Sequence, residues 1–143
     1  MSVIILEYPA MEVLRGSRFI WRVSREVKYV WYRPEKPDFT LTIPVNFPTD
    51  LTSVPRGLWN IFPPFDTEFV EAACAHDYCY AFHSLPKADA DLIFYECMET
   101  TGTPSWKREL LYKAVKWFGQ SSYDSGPARR VARQEVVRTL LAG

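Results

Sequence analysis

The predicted fold is organised around the segment Glu71–Tyr80, which reads Glu-Ala-Ala-Cys-Ala-His-Asp-Tyr-Cys-Tyr. In a helix, residues four apart share a face, so His76 and Tyr80 are expected to point the same way. Asp77 is turned by about 100° onto a flanking face. An apolar helix that carries these groups needs partners for them, because an unpaired buried charge is costly. The stretch therefore predicts either a structural polar network or a functional site.

A second helix is expected to supply the partner. Helices are predicted at about 67–83 and 87–101, and the short turn between them makes them antiparallel neighbours. Positions whose numbers sum to about 170 then face each other, which places Asp91 opposite Tyr80. A modest shift of register brings Asp91 to His76 as well. Asp89, the competing carboxylate, is expected to point away and to be exposed.

The residues before this hairpin have the pattern of strands. Residues 18–32 alternate between aromatic or β-branched and polar side chains, and Phe39–Ile43 continues the pattern after a proline-rich break. Period-two alternation is typical of half-buried antiparallel strands. We predict one sheet of three or four strands over residues 3–46. Met11–Arg15 is ambiguous between a short strand and a turn.

Residues 47–66 are punctuated by prolines, which are expected to keep them out of helix and sheet. One interpretation is a connecting loop, in which Asp50 or Ser53 caps a turn. The other is a lid over the His76 helix that contributes oxygen ligands to a site.

Two more helices are predicted after the hairpin, at about 104–118 and from Pro127 to about Leu141, with a polar loop at Gly119–Gly126 between them. The order of strands followed by helices predicts an α+β fold. We expect one domain over residues 1–143, with 1–46 mostly strands, 47–66 a loop and 67–141 helical. The arginines of the last helix indicate a solvated face, since no aromatic residues are interleaved with them.

The amino-acid composition limits which partners the protein is expected to bind and in which compartment it is expected to be made. The chain has 143 residues, 48% of them hydrophobic, and a formal net charge of zero. No nucleic-acid partner is expected from this charge. No stretch approaches the roughly 20 apolar residues of a transmembrane segment. The three cysteines are expected to be buried and reduced, which is typical of synthesis in the cytoplasm.

The side chains of the hairpin can be given chemical roles. His76 would be a general base near neutral pH, Asp91 would orient its ring, and Tyr80 would tie the two together. Asp77 and Asp50 would bind a hard cation such as Ca²⁺. Alternatively, His76 itself would be a ligand of Zn²⁺, beside Asp77 or Asp50. The two alternatives give His76 different roles and exclude each other.

The loop adds three candidates over the site, Asp50, Ser53 and Arg56. Ser53 is a further candidate nucleophile, although it lacks the strand–turn–helix context of a nucleophile elbow. The structural alternative is a polar network in which Asp50 accepts from Arg56 and His76 bonds Asp91 without any reaction. In that case the whole set locks the loop onto the hairpin.

The sequence His-Asp-x-Cys-Tyr at 76–80 resembles the active-site helix of secreted phospholipases A2. That resemblance implies His76 as the base, Asp77 as a Ca²⁺ ligand, Tyr80 as a support and Asp91 as the orienting carboxylate. The chain departs from that family where paired cysteines and a glycine-rich calcium loop are expected. Ala72 and Ala73 precede the motif, and residues 47–56 contain no glycine.

The chain contains three separated motifs. In order along the chain they are Phe-Pro-Thr-Asp-Leu-Thr-Ser-Val-Pro-Arg at 47–56, Ala-x-x-His-Asp-Tyr-x-Tyr at 73–80 and Lys-Ala-Asp-Ala-Asp-x-x-Phe at 87–94. The set is similar to an uncharacterised family of phages and prophages, domain of unknown function 1353. The resemblance covers roughly residues 18–120. It implies a phage or prophage context and a shared neighbourhood for the polar residues of the three motifs.

We therefore expect a phage-encoded protein with a metal-assisted hydrolase-like site for an ester or amide, in a lipid or cell-wall substrate. The alternative is a non-enzymatic virion or tail-associated protein with other phage structural proteins as partners. It would be made in the host cytoplasm, could enter the virion, and would assemble through an aromatic surface that includes Trp21, Trp31, Trp59, Trp106 and Trp117. An inhibitor of a host protein is a third candidate.

Overall fold

The computed structural model describes residues 2–7, 11–13, 21–49 and 70–142. Strands come first and helices follow, which confirms the predicted α+β class. In chain order the elements are β1 (Ser2–Glu7), β2 (Met11–Val13), β3 (Trp21–Val23), β4 (Val27–Tyr32), β5 (Phe39–Ile43), β6 (Pro48–Thr49), α1 (Val70–Phe82), α2 (Lys87–Thr100), α3 (Ser105–Phe118) and α4 (Gln120–Ala142).

In the described ranges the strands form two antiparallel sheets of three strands each, with the orders β1-β4-β5 and β2-β3-β6. The predicted small antiparallel sheet near the N-terminal end is thus present, and the described strands divide into two such sheets. In the first sheet, Val30 pairs with Ile4 on one side and with Thr40 on the other. The ambiguous segment Met11–Arg15 begins with a strand, β2, which pairs with β3.

The predicted alternation along β4 is confirmed. Val27, Tyr29 and Trp31 are buried and belong to the same hydrophobic core as residues of α1 and α2. The Tyr29 hydroxyl donates to the backbone carbonyl of Glu71 over 2.9 Å, which ties the sheet to the first turn of α1. Because the alternate side chains of a strand point to one face, this face of the sheet carries the helices.

Pro48 corrects the prediction for residues 47–66. Pro48–Thr49 is a strand, β6, and pairs with Trp21 and Arg22 of β3. A proline is tolerated there because, among the described strands, β6 lies at the edge of its sheet, and an edge strand can do without one N–H. The predicted loop from residue 50 onward lies outside the described residues, together with Asp50, Ser53, Arg56 and Trp59.

The predicted helical hairpin is present. Helices α1 and α2 pack against each other, and α2 ends at Thr100, one residue before the predicted end. His83 follows the last turn of α1 with a positive φ of 49°, as a helix-end residue. Asp89 is half-buried, so the expectation that it is exposed is wrong.

The predicted polar loop Gly119–Gly126 is helical from Gln120 onward, since α4 extends from Gln120 to Ala142 and Pro127 lies inside it. A proline inside a helix leaves the carbonyl four residues earlier without its usual N–H partner. That carbonyl belongs to Tyr123, and the His83 ring nitrogen Nε2–H donates to it over 2.7 Å. The hairpin thus supplies the hydrogen bond that Pro127 removes.

Two glycines allow α4 to approach α1 closely. A Cβ at Gly126 would lie 2.1 Å from the backbone oxygen of Tyr80, and one at Gly119 would lie 2.9 Å from the Tyr80 hydroxyl. Neither distance leaves room for a methyl group. The Tyr80 backbone is therefore in close contact with α4 at Gly126, and its hydroxyl lies close to Gly119, the residue between α3 and α4.

The three cysteines, Cys74, Cys79 and Cys97, are free and buried, as expected. Burial raises the pKa of the Cys79 thiol to about 12. Trp106 and Trp117 are exposed, but Trp31 is 1% exposed and is not part of an aromatic surface. Among the helices of the described ranges, none is both long and apolar enough to cross a membrane.

Candidate functional site

The hairpin brings His76 and Asp91 into contact. His76 lies on α1 and Asp91 on α2, and His76 Nε2 is 2.8 Å from Asp91 Oδ1. Each residue is 2% exposed. Since an ionised carboxylate only accepts hydrogen bonds, Nε2 carries the proton and donates it. In the neutral form of such a ring the lone pair is on Nδ1, the nitrogen that would act as a base.

Two further donors reach the same carboxylate. The Tyr80 hydroxyl donates to Asp91 Oδ1 over 2.5 Å, as predicted from the facing positions. The Lys87 ammonium donates to Asp91 Oδ2 over 2.7 Å. Lys87 also donates to the backbone oxygen of Val115 over 2.9 Å. We call His76, Tyr80, Lys87 and Asp91 the Asp91 cluster.

The charge of Asp91 is stabilised inside the protein. Burial by itself would raise the pKa of this carboxyl group, but hydrogen bonds from His76, Lys87 and Tyr80 outweigh that effect and lower the pKa below its usual value. The pKa of the Tyr80 hydroxyl is raised, first by burial and then by its bond to Asp91. The cluster therefore contains an ionised acceptor and a neutral phenol donor.

Aromatic rings hold the imidazole in place. The His76 ring lies 4.1 Å from the Tyr80 ring and 4.7 Å from the Phe94 ring, measured between centroids. Phe94 is the residue that the predicted helix pairing places opposite His76. Packing on these rings fixes the orientation of the imidazole, and Asp91 fixes its tautomer.

Asp77 belongs to a second cluster on the flanking face of α1. Thr49 of β6 donates its hydroxyl to Asp77 Oδ2 over 2.5 Å. Arg133 of α4 approaches the same oxygen at 3.1 Å with one guanidinium nitrogen and Oδ1 at 3.4 Å with another. Asp77 is thus the point where α1, β6 and α4 meet.

The predicted ligands of a cation are only partly described. Asp50, Ser53 and Arg56 lie outside the described residues. In the described ranges no three His, Cys, Asp or Glu side chains are grouped to hold a metal ion. Asp77 would have to bind a cation in competition with the Arg133 guanidinium. The Ca²⁺ and Zn²⁺ alternatives remain predictions.

Three polar partners were not predicted from the sequence. Lys87 stands four residues before Asp91, a spacing that brings two helical side chains together and so was available as a signal. For Thr49, the only signal in the sequence was a polar side chain within a proline-rich stretch, which does not identify Asp77 as its partner. Arg133 lies 56 residues from Asp77, and the apolar and basic pattern of its helix gives no sign of this pairing.

Comparison with known proteins gives no function directly. No curated protein matches the chain. No solved structure matches it either. A family model described as "Protein of unknown function (DUF1353)" matches residues 21–115. That range includes the whole Asp91 cluster and Asp77, but ends before Arg133. Because the match covers more than half of the 143 residues, the chain belongs to the protein family of unknown function DUF1353.

Proposed function

We propose that the protein is a hydrolase of ester or amide bonds in which His76 is the general base. The observation that carries the proposal is the 2.8 Å contact between His76 Nε2 and Asp91 Oδ1. A carboxylate on one ring nitrogen orients the imidazole and stabilises the imidazolium that forms when the other nitrogen removes a proton. Tyr80 and Lys87 hold the carboxylate, so they are positioning residues.

In this proposal His76 Nδ1 takes a proton from the attacking water as that water adds to the carbonyl carbon, and the imidazolium then protonates the leaving group. The substrate would be a lipid or a cell-wall component. A phage origin is part of this proposal and rests on the resemblance of the three motifs at 47–56, 73–80 and 87–94. Incorporation into a virion remains part of the alternative function.

The metal-assisted form of the proposal assigns Asp77 to a divalent cation. In the present geometry Arg133 supplies the positive charge beside Asp77. A cation would have to displace this guanidinium from Asp77, and Asp50 is the second ligand that the sequence predicts. Metal analysis of the purified protein, with Arg133→Met alongside wild type, tests this directly. A cation site at Asp77 would be strengthened by that substitution.

A second candidate function is supported by burial. His76 and Asp91 are each 2% exposed, and both oxygens of Asp91 already accept hydrogen bonds. Such a network is suited to locking α1 against α2 in a non-enzymatic protein, including a virion or tail-associated one. In that case the Asp91 cluster stabilises the fold and has no catalytic role.

The experiment that separates the two uses a panel of phospholipids, simple esters and peptidoglycan with wild type, His76→Asn and the control His83→Asn. His83 is the other histidine and lies outside the Asp91 cluster. The hydrolase proposal expects activity that falls by about 10²-fold or more in His76→Asn only. Activity that survives this substitution would contradict it. An inactive wild type together with a large drop in melting temperature for His76→Asn would favour the structural role.

A further inference from the structure

Helix α3 presents large apolar side chains to solvent. Trp106, Trp117 and Phe118 are 58%, 65% and 75% exposed, and Leu110 is 38% exposed. Isolated exposed apolar residues are common on protein surfaces. Two exposed tryptophans and a leucine on one helix are unusual and indicate a binding surface. The core side of this helix is provided by other residues, Leu111, Ala114 and Val115.

These side chains form a continuous stripe. At 100° per residue, positions 106, 110, 113 and 117 fall within about 60° of the helix circumference. We call Trp106, Leu110, Lys113 and Trp117 the α3 stripe. Phe118, although exposed, is turned by about 100° from Trp117 and lies outside the stripe. The stripe lies on the side of the helix away from Leu111 and Val115, so it does not form part of the core.

The same helix concentrates positive charge. Its cations are Lys107, Arg108, Lys113 and Lys116, and its one acid is Glu109, so four minus one gives a formal charge of +3. The whole chain has a formal net charge of zero. Lys113 lies within the stripe and Lys116 beside it, and both are exposed. Glu109 accepts a hydrogen bond from the Tyr95 hydroxyl over 2.8 Å.

We propose that the α3 stripe binds the surface of a membrane that contains anionic phospholipids. Tryptophan is enriched where hydrocarbon meets headgroups, because its ring is amphipathic. Lysine beside it can extend its ammonium group to the lipid phosphates while its stem covers apolar surface. A helix with aromatic and leucine residues next to lysines is therefore suited to lying in this interface.

The residue types of the α3 stripe favour an anionic membrane over a protein or a single-stranded nucleic acid as its partner. Protein–protein interfaces are depleted in lysine, yet Lys113 stands in the middle of the stripe. Single-stranded nucleic acid would use the tryptophans and lysines, but Leu110 offers no surface on which a base stacks. An anionic membrane uses all three residue types. The helix has 14 residues, about 21 Å, which is too short to span a bilayer, so it would lie along the surface.

Contacts within the protein keep α3 rigid. Lys87 of α2 donates to the backbone oxygens of Val115 and Lys116 at the C-terminal end of α3, over 2.9 and 3.3 Å. The Arg108 guanidinium donates to the backbone oxygen of Thr103 just before the helix, over 2.9 Å. The stripe is thus preformed and need not fold on binding. The inference rests on α3 alone and does not depend on the proposed hydrolase activity.

The test is co-sedimentation of the full chain with vesicles of phosphatidylcholine alone or mixed in equal parts with phosphatidylglycerol. Binding is expected for the mixed vesicles and is expected to weaken as salt rises. Trp106→Ser with Trp117→Ser should abolish it. Lys113→Gln with Lys116→Gln should weaken it by about tenfold or more, given about 1 kcal/mol for each cation near the surface. All four substitutions are at exposed positions, and circular dichroism checks the folding of each variant.

Val131→Ser is the matched control, because Val131 is 56% exposed but lies on α4. It should bind like wild type. Equal binding to both vesicle types, or binding that the stripe variants leave unchanged, would overturn the proposal. So would tighter binding to a single-stranded oligonucleotide that the same variants abolish. A dimer in sedimentation velocity that dissociates on changing the tryptophans would instead assign the stripe to self-association.

Discussion

The Arg133 guanidinium lies 3.1 Å from Asp77 Oδ2 although the two residues are 56 positions apart. Both side chains are nearly buried, with 9% and 8% exposed. This ion pair joins the last helix to the helix that carries His76. It also determines the immediate surroundings of the carboxylate that the sequence assigns to a cation.

Replacing Arg133 by methionine is expected to destabilise the fold strongly. The variant keeps an apolar stem but leaves the Asp77 charge buried without its guanidinium, a loss that costs about 3–5 kcal/mol. Urea denaturation measures the change in the free energy of unfolding. Adding Asp77→Asn to the variant should recover part of the loss, since the uncompensated charge is gone. Strictly additive losses in the double variant would show that the pair is not coupled.

Stability should depend on Asp91 in the acid range. Its pKa is lowered in the folded state, so the folded protein holds the ionised form more tightly than the unfolded chain does. The resulting stability is fully present above the unfolded pKa of about 3.9 and is lost as the pH falls through the folded value. The difference in unfolding free energy between wild type and Asp91→Asn should therefore shrink below about pH 4. A difference that stays constant from pH 6 to about pH 3 would contradict the role given to this carboxylate.

Gly126→Ala should destabilise the protein even though alanine is the better helix former. The new methyl group would lie 2.1 Å from the backbone oxygen of Tyr80, so α1 and α4 must separate. Overpacking of about 3 kcal/mol outweighs the roughly 1 kcal/mol gained in helix propensity. Thermal unfolding measures the result. Ser121→Ala, at an exposed position of the same helix, should have almost no effect, and a stabilised Gly126→Ala would show that the two helices are not in close contact.

His83 and Pro127 should be coupled. His83→Asn tolerates the positive φ at this position but leaves the Tyr123 carbonyl without its donor, at a cost of about 1 kcal/mol. In a Pro127→Ala background the loss should be smaller, because the new backbone N–H can bond that carbonyl. A double-mutant cycle measures the difference. Equal losses in both backgrounds would mean that the His83 bond does not replace the one that proline removes.

The contacts among His76, Tyr80 and Asp91 could be predicted because they depend on short-range geometry. A tight turn sets the pairing of two adjacent helices, and helical periodicity then selects the facing residues. The same reasoning could have found Lys87. It could not find Arg133, since nothing local relates positions 77 and 133.

Helix α4 shows how a tertiary contact overrides local signals. The serines, glycines and proline of residues 119–127 are typical of a loop. Residues 120–127 are nevertheless helical, because Gly126 lets α1 approach and His83 bonds the carbonyl that Pro127 leaves without a partner. Both contacts come from a segment about 40 residues earlier, outside the range of any local pattern.

The α+β class, the order of the first three helices and the pairing of His76 and Tyr80 with Asp91 could be predicted from the sequence alone, because each follows from periodicity or a short connection. Only the tertiary structure decided that Asp77 is bonded by Arg133 and Thr49, that α4 continues through Pro127, and that Trp31 is buried while Trp106 and Trp117 face solvent. These outcomes depend on which elements pack together. That packing depends on the whole core, and no single segment of the sequence contains enough information to predict it.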